Sequence, residues 1–113
     1  FYPGLEESPD HALAKRQMDA YGGMMAFRLD GDRHPGRFLD ALSLVAPAVS
    51  LGGVESTICQ PSRTSHARVA DAVRERLRID DRLMRLSVGI EDSDDLYTDL
   101  ARALGASIIE PST

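Results

Sequence analysis

A strand followed directly by a helix is predicted between residues 82 and 105, and it constrains the fold more than any other stretch. In "RLMRLSVG" apolar and polar residues alternate. Met84, Leu86 and Val88 therefore share one face of the predicted strand, and Arg85 and Ser87 share the other. One face must be buried, so the other meets solvent, another domain or a ligand.

The sequence of the following helix indicates where it begins, where it ends and which side is buried. Ser93 is predicted to cap its N-terminus and Gly105 to end it. Leu96, Leu100 and Leu104 recur at helical spacing and form an apolar stripe. An apolar strand face beside an apolar helix stripe predicts a sheet covered by helices.

The rest of the chain predicts shorter elements. A helix is expected from residue 9 to about 18 or 20, with Leu13 and Met18 turned inward. Further elements are a strand over 24–29, a helix over 38–45 ended by Pro47, a strand over 54–59, a loop over 60–69 and a short helix over 70–77. Residues 1–8 and 106–113 are predicted to be a connecting segment and a tail. We therefore predict an α+β fold in a single domain, residues 1–113.

Composition excludes some functions. The net charge of -5 argues against a nucleic-acid partner, and no apolar run approaches the ~20 residues that span a membrane. The single cysteine, Cys59, is predicted to be a buried thiol in a reducing compartment. His11, His34 and His66 lack metal-ligand spacing with it or with one another, so we expect no metal site.

Two polar features of the sequence are compatible with a ligand-binding site but do not require one. Arg85 interrupts the apolar strand: its guanidinium suits a carboxylate, but the pattern alone favours a solvated edge-strand arginine. In "VSLGGVEST", Gly52 and Gly53 allow a tight turn that brings Ser50 and bare backbone close to a ligand. Composition alone favours a plain turn between a helix and a strand.

Several stretches occur together in one order: "YPGL", "HALAKRQM", "GGMMAF", "RFLDAL", "VSLGGVEST", "SHARV" and "LMRLSVGIEDSDDLYTDLARAL". Together they cover residues 2 to about 104. In this order the chain resembles the C-terminal domain of the pyridoxal-phosphate enzymes of cysteine and methionine metabolism, the cystathionine γ-synthase family. The resemblance implies the small C-terminal domain of a fold-type-I enzyme, with a mixed sheet covered by helices.

The resemblance also implies roles for four residues. The arginine of "RLSVG", here Arg85, would hold the substrate α-carboxylate. The serine of "SLGG", here Ser50, would lie beside it. Ser65 of "TSHAR" stands where the family has a threonine that lines the site. Val49 stands where cystathionine-handling members usually carry a glutamate, and an apolar residue there resembles the methionine γ-lyase branch.

The cofactor implied by the resemblance is pyridoxal 5'-phosphate, an electron sink for a substrate carbanion. The only lysine, Lys15, matches a helix motif and not the Schiff-base lysine of the family. We therefore expect no catalytic or cofactor-binding residue in these 113 residues. The opening "FYPGL" reads like the middle of a longer chain, so we expect a fragment whose cofactor domain lies upstream.

The implied function is that of a carbon–sulfur lyase performing α,γ-elimination on methionine or a related sulfur amino acid. Cystathionine γ-lyase in transsulfuration, cystathionine γ-synthase acting by γ-replacement on an activated homoserine, and a non-catalytic interaction module are the alternatives. The resemblance further implies a cytoplasmic homotetramer built of tight dimers, with a small amino-acid substrate.

Overall fold

The computed structural model describes residues 1 to 110. Their helices and strands are α1 (His11–Gln17), β1 (Met24–Arg28), α2 (Pro35–Ala41), β2 (Ala46–Pro47), β3 (Thr57–Cys59), a 3₁₀ helix (Pro61–Arg63), α3 (Asp71–Arg76), β4 (Leu83–Ser87) and α4 (Ser93–Ala106).

One mixed sheet organises these elements in the order β1-β4-β3-β2. Strand β4 is central and pairs antiparallel with β1 on one side and with β3 on the other. Strand β2 runs parallel to β3 at the edge. The arrangement confirms the α+β prediction and its mixed sheet.

The core lies on the face of β4 that the alternation predicts. Met84 and Leu86 are buried, and they belong to one apolar cluster with Phe38 of α2 and with Leu96 and Ala103 of α4. The N-terminus of α4 is capped by the carboxylate of Asp92, not by Ser93. A carboxylate caps as well as a hydroxyl and also favours the positive end of the helix dipole.

Helix α4 does not end at Gly105 but continues to Ala106, and the segment behind it is packed. Ser107 is buried, and Ile108 forms an isolated bridge with Arg33. The prediction of a tail from residue 106 is therefore wrong up to residue 109, whose N–H group donates to the Asp32 carbonyl oxygen at 2.7 Å. Residues 111–113 lie outside the described residues.

The first helix is shorter than predicted, and its apolar side chains face outward. It begins at His11 behind Asp10, and its buried residue is Ala14. Leu13 and Met18, predicted to turn inward, are each 45% exposed. The helix has only about two turns. Its buried position is Ala14, and not Leu13 or Met18.

The second helix is shifted towards the N-terminus. It covers Pro35–Ala41 instead of 38–45, with the ring of His34 accepting a hydrogen bond from the Arg37 N–H group. Proline at the first helical position is a start signal that the apolar spacing concealed. Val45 is buried as expected but lies outside the helix, because the residues before it turn to bind α4.

That turn is held by Asp99, a carboxylate of α4 that is only 4% exposed. It accepts hydrogen bonds from the backbone N–H groups of Ser43, Leu44 and Val45, each at 2.9 Å, and one from Arg102 at 2.6 Å. Burial raises the pKa of Asp99, but these bonds together outweigh it and hold the pKa well below its ordinary value. Asp99 thus fixes the segment between α2 and β2 against α4.

The remaining strands are also shorter than predicted. Strand β3 comprises Thr57–Cys59 and not 54–59, and residues 54–56 belong to the loop before it. Pro47, predicted to end a helix, lies in β2 instead. Proline fits there because an edge strand need not donate from every residue. Cys59 is buried, as predicted.

Candidate functional site

Arg85 occupies the middle of the central strand, on the face away from the core. Its Cα neighbours in the sheet are Ala26 of β1 and Cys59 of β3. One terminal nitrogen, Nη2, donates to the carbonyl oxygen of Val49 at 2.9 Å. The Nε atom is buried and has no hydrogen-bond partner among the described residues. Since a buried unpaired donor is costly, this atom indicates a missing acceptor.

A loop from Val49 to Gly52 lies over the same face and is held there by three hydrogen bonds. Beyond the bond to Arg85, the Thr57 hydroxyl donates to the Ser50 carbonyl oxygen at 2.7 Å. The Gly52 N–H group donates to the Ser87 hydroxyl at 2.9 Å. Gly52 has φ +69°, a conformation that favours glycine. The fold therefore brings Arg85, Ser50 and Val49 together, three of the four residues predicted from the sequence.

Apolar side chains of this loop, and Val54 just after it in the same connection between β2 and β3, are available for contact. Val49 is 62% exposed, and Leu51 and Val54 are exposed to a similar extent. Such a concentration of apolar surface beside an arginine is typical of a binding or domain interface. The Ser50 hydroxyl forms no hydrogen bond to any other described residue, so it is free to meet a ligand.

Ser65, the fourth predicted residue, lies apart from this hydrogen-bonded group. It is exposed in the loop after the 3₁₀ helix, where its hydroxyl and the Nδ1 atom of His66 are 2.8 Å apart. Among residues 1–110, no hydrogen bond joins Ser65 to Arg85 or to the loop from Val49 to Gly52. Its role in a site stays a prediction.

A second polar cluster, which the sequence did not reveal, adjoins the site. Glu91 accepts hydrogen bonds from the backbone N–H group and the hydroxyl of Ser56, both at 2.8 Å. The Gly89 N–H group donates to the same hydroxyl at 2.8 Å. The hydrogen bonds from Ser56 hold the pKa of Glu91 below its ordinary value. The two partners are 35 residues apart, and no short motif could have joined them.

Replacing Gly89 with alanine is expected to disrupt this cluster. The added Cβ would lie 2.7 Å from the carbonyl carbon of Glu55 and closer still to the carbonyl oxygen of Val54. Because both atoms belong to the backbone, the segment around Val54 and Glu55 must move to make room for the methyl group. We expect this to lower the free energy of unfolding by about 1–3 kcal/mol. Urea unfolding of the purified protein measures this loss.

Gly105→Ala is the matched control. It makes the same chemical change within α4, where an added Cβ meets no atom within 4 Å. We expect it to be neutral or to stabilise the protein by up to ~1 kcal/mol, because alanine favours helix. Equal stability of Gly89→Ala and the wild type would contradict the crowding seen at Gly89.

Lys15 and the three histidines form no hydrogen bond to Arg85 or to the loop from Val49 to Gly52 among the described residues. Lys15 lies in the last turn of α1, and no hydrogen bond within the described part of the chain connects that helix to the Arg85 face. Residues 1–110 contain no cluster of three or more His, Cys, Asp or Glu side chains arranged to hold a metal ion. Nor does any helix in this range combine the length and apolar character needed to cross a membrane.

Comparison with known proteins gives one consistent result. The family model described as "Cys/Met metabolism PLP-dependent enzyme" matches residues 1–105. Cystathionine gamma-lyase of Dictyostelium discoideum is 51% identical over 104 residues, which are 91% of this chain and 27% of that protein. L-methionine gamma-lyase of Pseudomonas putida is 46% identical over 107 residues, 94% of this chain and 27% of that protein.

The fold comparison agrees. The crystal structure of cystathionine gamma-lyase from Lactobacillus plantarum, complexed with L-serine, superposes with a TM-score of 0.90 at 39% identity, covering 95% of this chain and 28% of that one. The chain thus spans about a quarter of the length of the relatives it matches. The family model and the relatives cover nearly all of its residues, and the chain therefore belongs to the Cys/Met metabolism PLP-dependent enzyme family.

Proposed function

We propose that this chain forms the substrate-binding C-terminal domain of a longer pyridoxal-phosphate enzyme, called here the parent enzyme, and that Arg85 binds the α-carboxylate of a sulfur amino acid. The observation that carries the proposal is the buried, unpartnered Nε of Arg85. Nη2 is engaged by Val49, so that bond fixes the guanidinium while Nε still lacks an acceptor. A carboxylate is the acceptor that best matches a guanidinium.

The residues of the chain fit one wall of a pyridoxal-phosphate site and not the place where the cofactor is held. Arg85 would serve as the carboxylate anchor, but the only lysine lies on α1, away from the Arg85 hydrogen-bond network. When bound by the rest of the parent enzyme, the cofactor would withdraw electrons from the substrate Cα. Arg85 and the Ser50 hydroxyl would fix the carboxylate and so orient the Cα–H bond, which is a positioning effect.

The reaction that we propose is α,γ-elimination, in which methionine and one water molecule give α-ketobutyrate, methanethiol and ammonia. Val49 supports this choice because an apolar side chain suits the uncharged thioether end of methionine. The assay uses the parent enzyme, purified with pyridoxal phosphate, and follows α-ketobutyrate and methanethiol. Release of cysteine from cystathionine without methanethiol from methionine would make cystathionine γ-lyase the function.

Cystathionine γ-lyase is the second candidate, since a relative of that name is 51% identical. Cystathionine γ-synthase is tested in the same assay series by supplying an activated homoserine with cysteine. A non-catalytic module is tested by the sequence upstream of these residues, because a cofactor lysine encoded there would contradict it. The homotetramer and the cytoplasmic location stay predictions, and size-exclusion chromatography of the parent enzyme tests the former.

Substituting Val49 with glutamate is expected to shift preference towards cystathionine. Its side chain is 62% exposed beside the Arg85 face, so a carboxylate there can meet the distal ammonium of cystathionine. A single pocket contact changes discrimination by about tenfold or more. We therefore expect kcat/KM for cystathionine relative to methionine to rise about tenfold.

Val54→Glu controls for a general effect of charge. It introduces the same carboxylate in the same loop, on a side chain that is 65% exposed. In Val54→Glu, the ratio of kcat/KM for cystathionine to kcat/KM for methionine should stay near that of the wild type. If both variants shift the ratio equally, or if Val49→Glu leaves it unchanged, Val49 does not select the substrate.

A further inference from the structure

Ser56 has each of its polar groups engaged. Its N–H group and hydroxyl both donate to Glu91, and its hydroxyl accepts from Gly89. Its carbonyl oxygen accepts from the N–H group of Ala46 in β2 at 3.0 Å. Ser56 is only 1% exposed, so these bonds form away from solvent. Ser56 therefore joins β2, the segment after β4 and the Glu91 carboxylate at one point.

This point is one end of the loop that carries the proposed site. The loop leaves β2 after Pro47 and returns to β3 through Ser56. Its first part holds Arg85 through the Val49 carbonyl oxygen. Immediately after Ser56, Thr57 donates to the Ser50 carbonyl oxygen. A displacement of Ser56 therefore reaches the residues that contact Arg85.

We propose that Glu91 is a positioning residue of the carboxylate site: by accepting both hydrogen bonds of Ser56, it fixes the loop whose Val49 carbonyl oxygen orients Arg85. The inference rests on the proposed function of Arg85. Glu91 itself does not bond to Arg85, so it acts through Ser56 and the loop.

The ionised carboxylate is required because both of its oxygens accept. Oε2 receives the Ser56 N–H group and Oε1 the Ser56 hydroxyl. A glutamine has the same shape but only one accepting oxygen. Its amide N–H group would donate to the Ser56 hydroxyl and compete with Gly89. The lowered pKa of Glu91 agrees with a group that stays ionised in this cluster.

The test is the kinetics of Glu91→Gln in the parent holoenzyme, with L-methionine and L-cystathionine as substrates. We expect KM to rise about tenfold, the effect of losing one charge-assisted hydrogen bond, with kcat changed less than about twofold. A purely structural role would lower the melting temperature and the active fraction but leave KM unchanged. Glu75→Gln makes the same change on an exposed residue of α3 and should leave KM, kcat, the melting temperature and the active fraction unchanged.

Two further variants keep the test decisive. In an Arg85→Ala background, Glu91→Gln should raise KM no further, because its effect passes through Arg85. Ser56→Ala keeps the N–H bond to Glu91 but loses the hydroxyl, and with it the charge-assisted bond to Glu91 and the bond from Gly89. It should therefore also raise KM about tenfold. It supplies the test if Glu91→Gln does not fold.

The outcomes separate this inference from the function on which it rests. If Arg85→Ala alone leaves KM and kcat unchanged, the proposed function is wrong. If Arg85→Ala raises KM while Glu91→Gln and Ser56→Ala do not, the function stands and the positioning role of Glu91 is overturned. An equal additional rise in KM from Glu91→Gln with and without Arg85 would also overturn it.

Discussion

Replacing Arg85 with alanine is expected to lower kcat/KM of the parent enzyme by roughly 30- to 150-fold, which corresponds to about 2–3 kcal/mol. The loss arises because alanine removes a guanidinium that the Val49 carbonyl oxygen holds in place and whose Nε lacks an acceptor. Steady-state kinetics with L-methionine and L-cystathionine measure the change. A rise in KM is expected with both substrates, because both carry the same α-carboxylate.

Arg85→Lys is the matched variant, since it keeps the charge but loses the planar fork of donors. Its kcat/KM should lie between the values of the Arg85→Ala variant and the wild type. It should be closer to that of Arg85→Ala if bidentate geometry matters more than charge. A circular dichroism spectrum like that of the wild type confirms folding in each case. Normal kinetics in a folded Arg85→Ala enzyme would make Arg85 a surface residue of the sheet.

Replacing Asp99 with alanine is expected to give the largest loss of stability, about 3–5 kcal/mol. Three backbone N–H groups, of Ser43, Leu44 and Val45, would lose their acceptor, and the Arg102 guanidinium would lose its partner. Unfolding by urea or heat measures the effect on the purified protein. A change below ~1 kcal/mol would mean that solvent or a rearranged loop replaces the carboxylate.

Asp99 also predicts how stability depends on pH. Because the folded state holds the pKa of Asp99 below its ordinary value of 3.8, the folded protein favours the ionised form. Its contribution is fully present above the ordinary pKa and is lost as the pH falls below it towards the folded pKa. The stability difference between the wild type and Asp99→Asn should therefore be constant near neutral pH and shrink below about pH 4. A difference that stays constant to pH 2.5 would contradict this account.

Long periodic elements were predictable because their pattern is local. The alternation around Met84 and the stripe of α4 extend over several residues and point to one core. The second helix was misplaced because two signals conflicted. The apolar spacing from Phe38 continues to Val45, but Asp99 captures the backbone of residues 43–45 and ends the helix early. That capture comes from a residue more than 50 positions away, which no local pattern contains.

The candidate site divides in the same way. Arg85 and Ser50 drew attention locally, as a charge within an apolar strand and as a serine before a glycine pair, but their predicted roles came from the family resemblance. Ser56 and Glu91 carry no such mark: a serine in a strand-like run and a glutamate before a helix are both ordinary. Their importance comes from the meeting of two loops, and that meeting depends on the register between β3 and β4. Ser65 shows the converse, since a motif predicts it but no hydrogen bond draws it to Arg85.

The central position of β4 also determines the order in which the sheet can assemble as the chain is synthesised. Strands β1 and β3 are both paired through β4, and β4 follows β1 by more than 50 residues. Until β4 has left the ribosome, β1 has no neighbour in the sheet and β3 has only two-residue β2 beside it. Unpaired strand edges are prone to pairing with other chains. Chaperone capture of nascent chains should therefore fall sharply once residues 83–87 emerge.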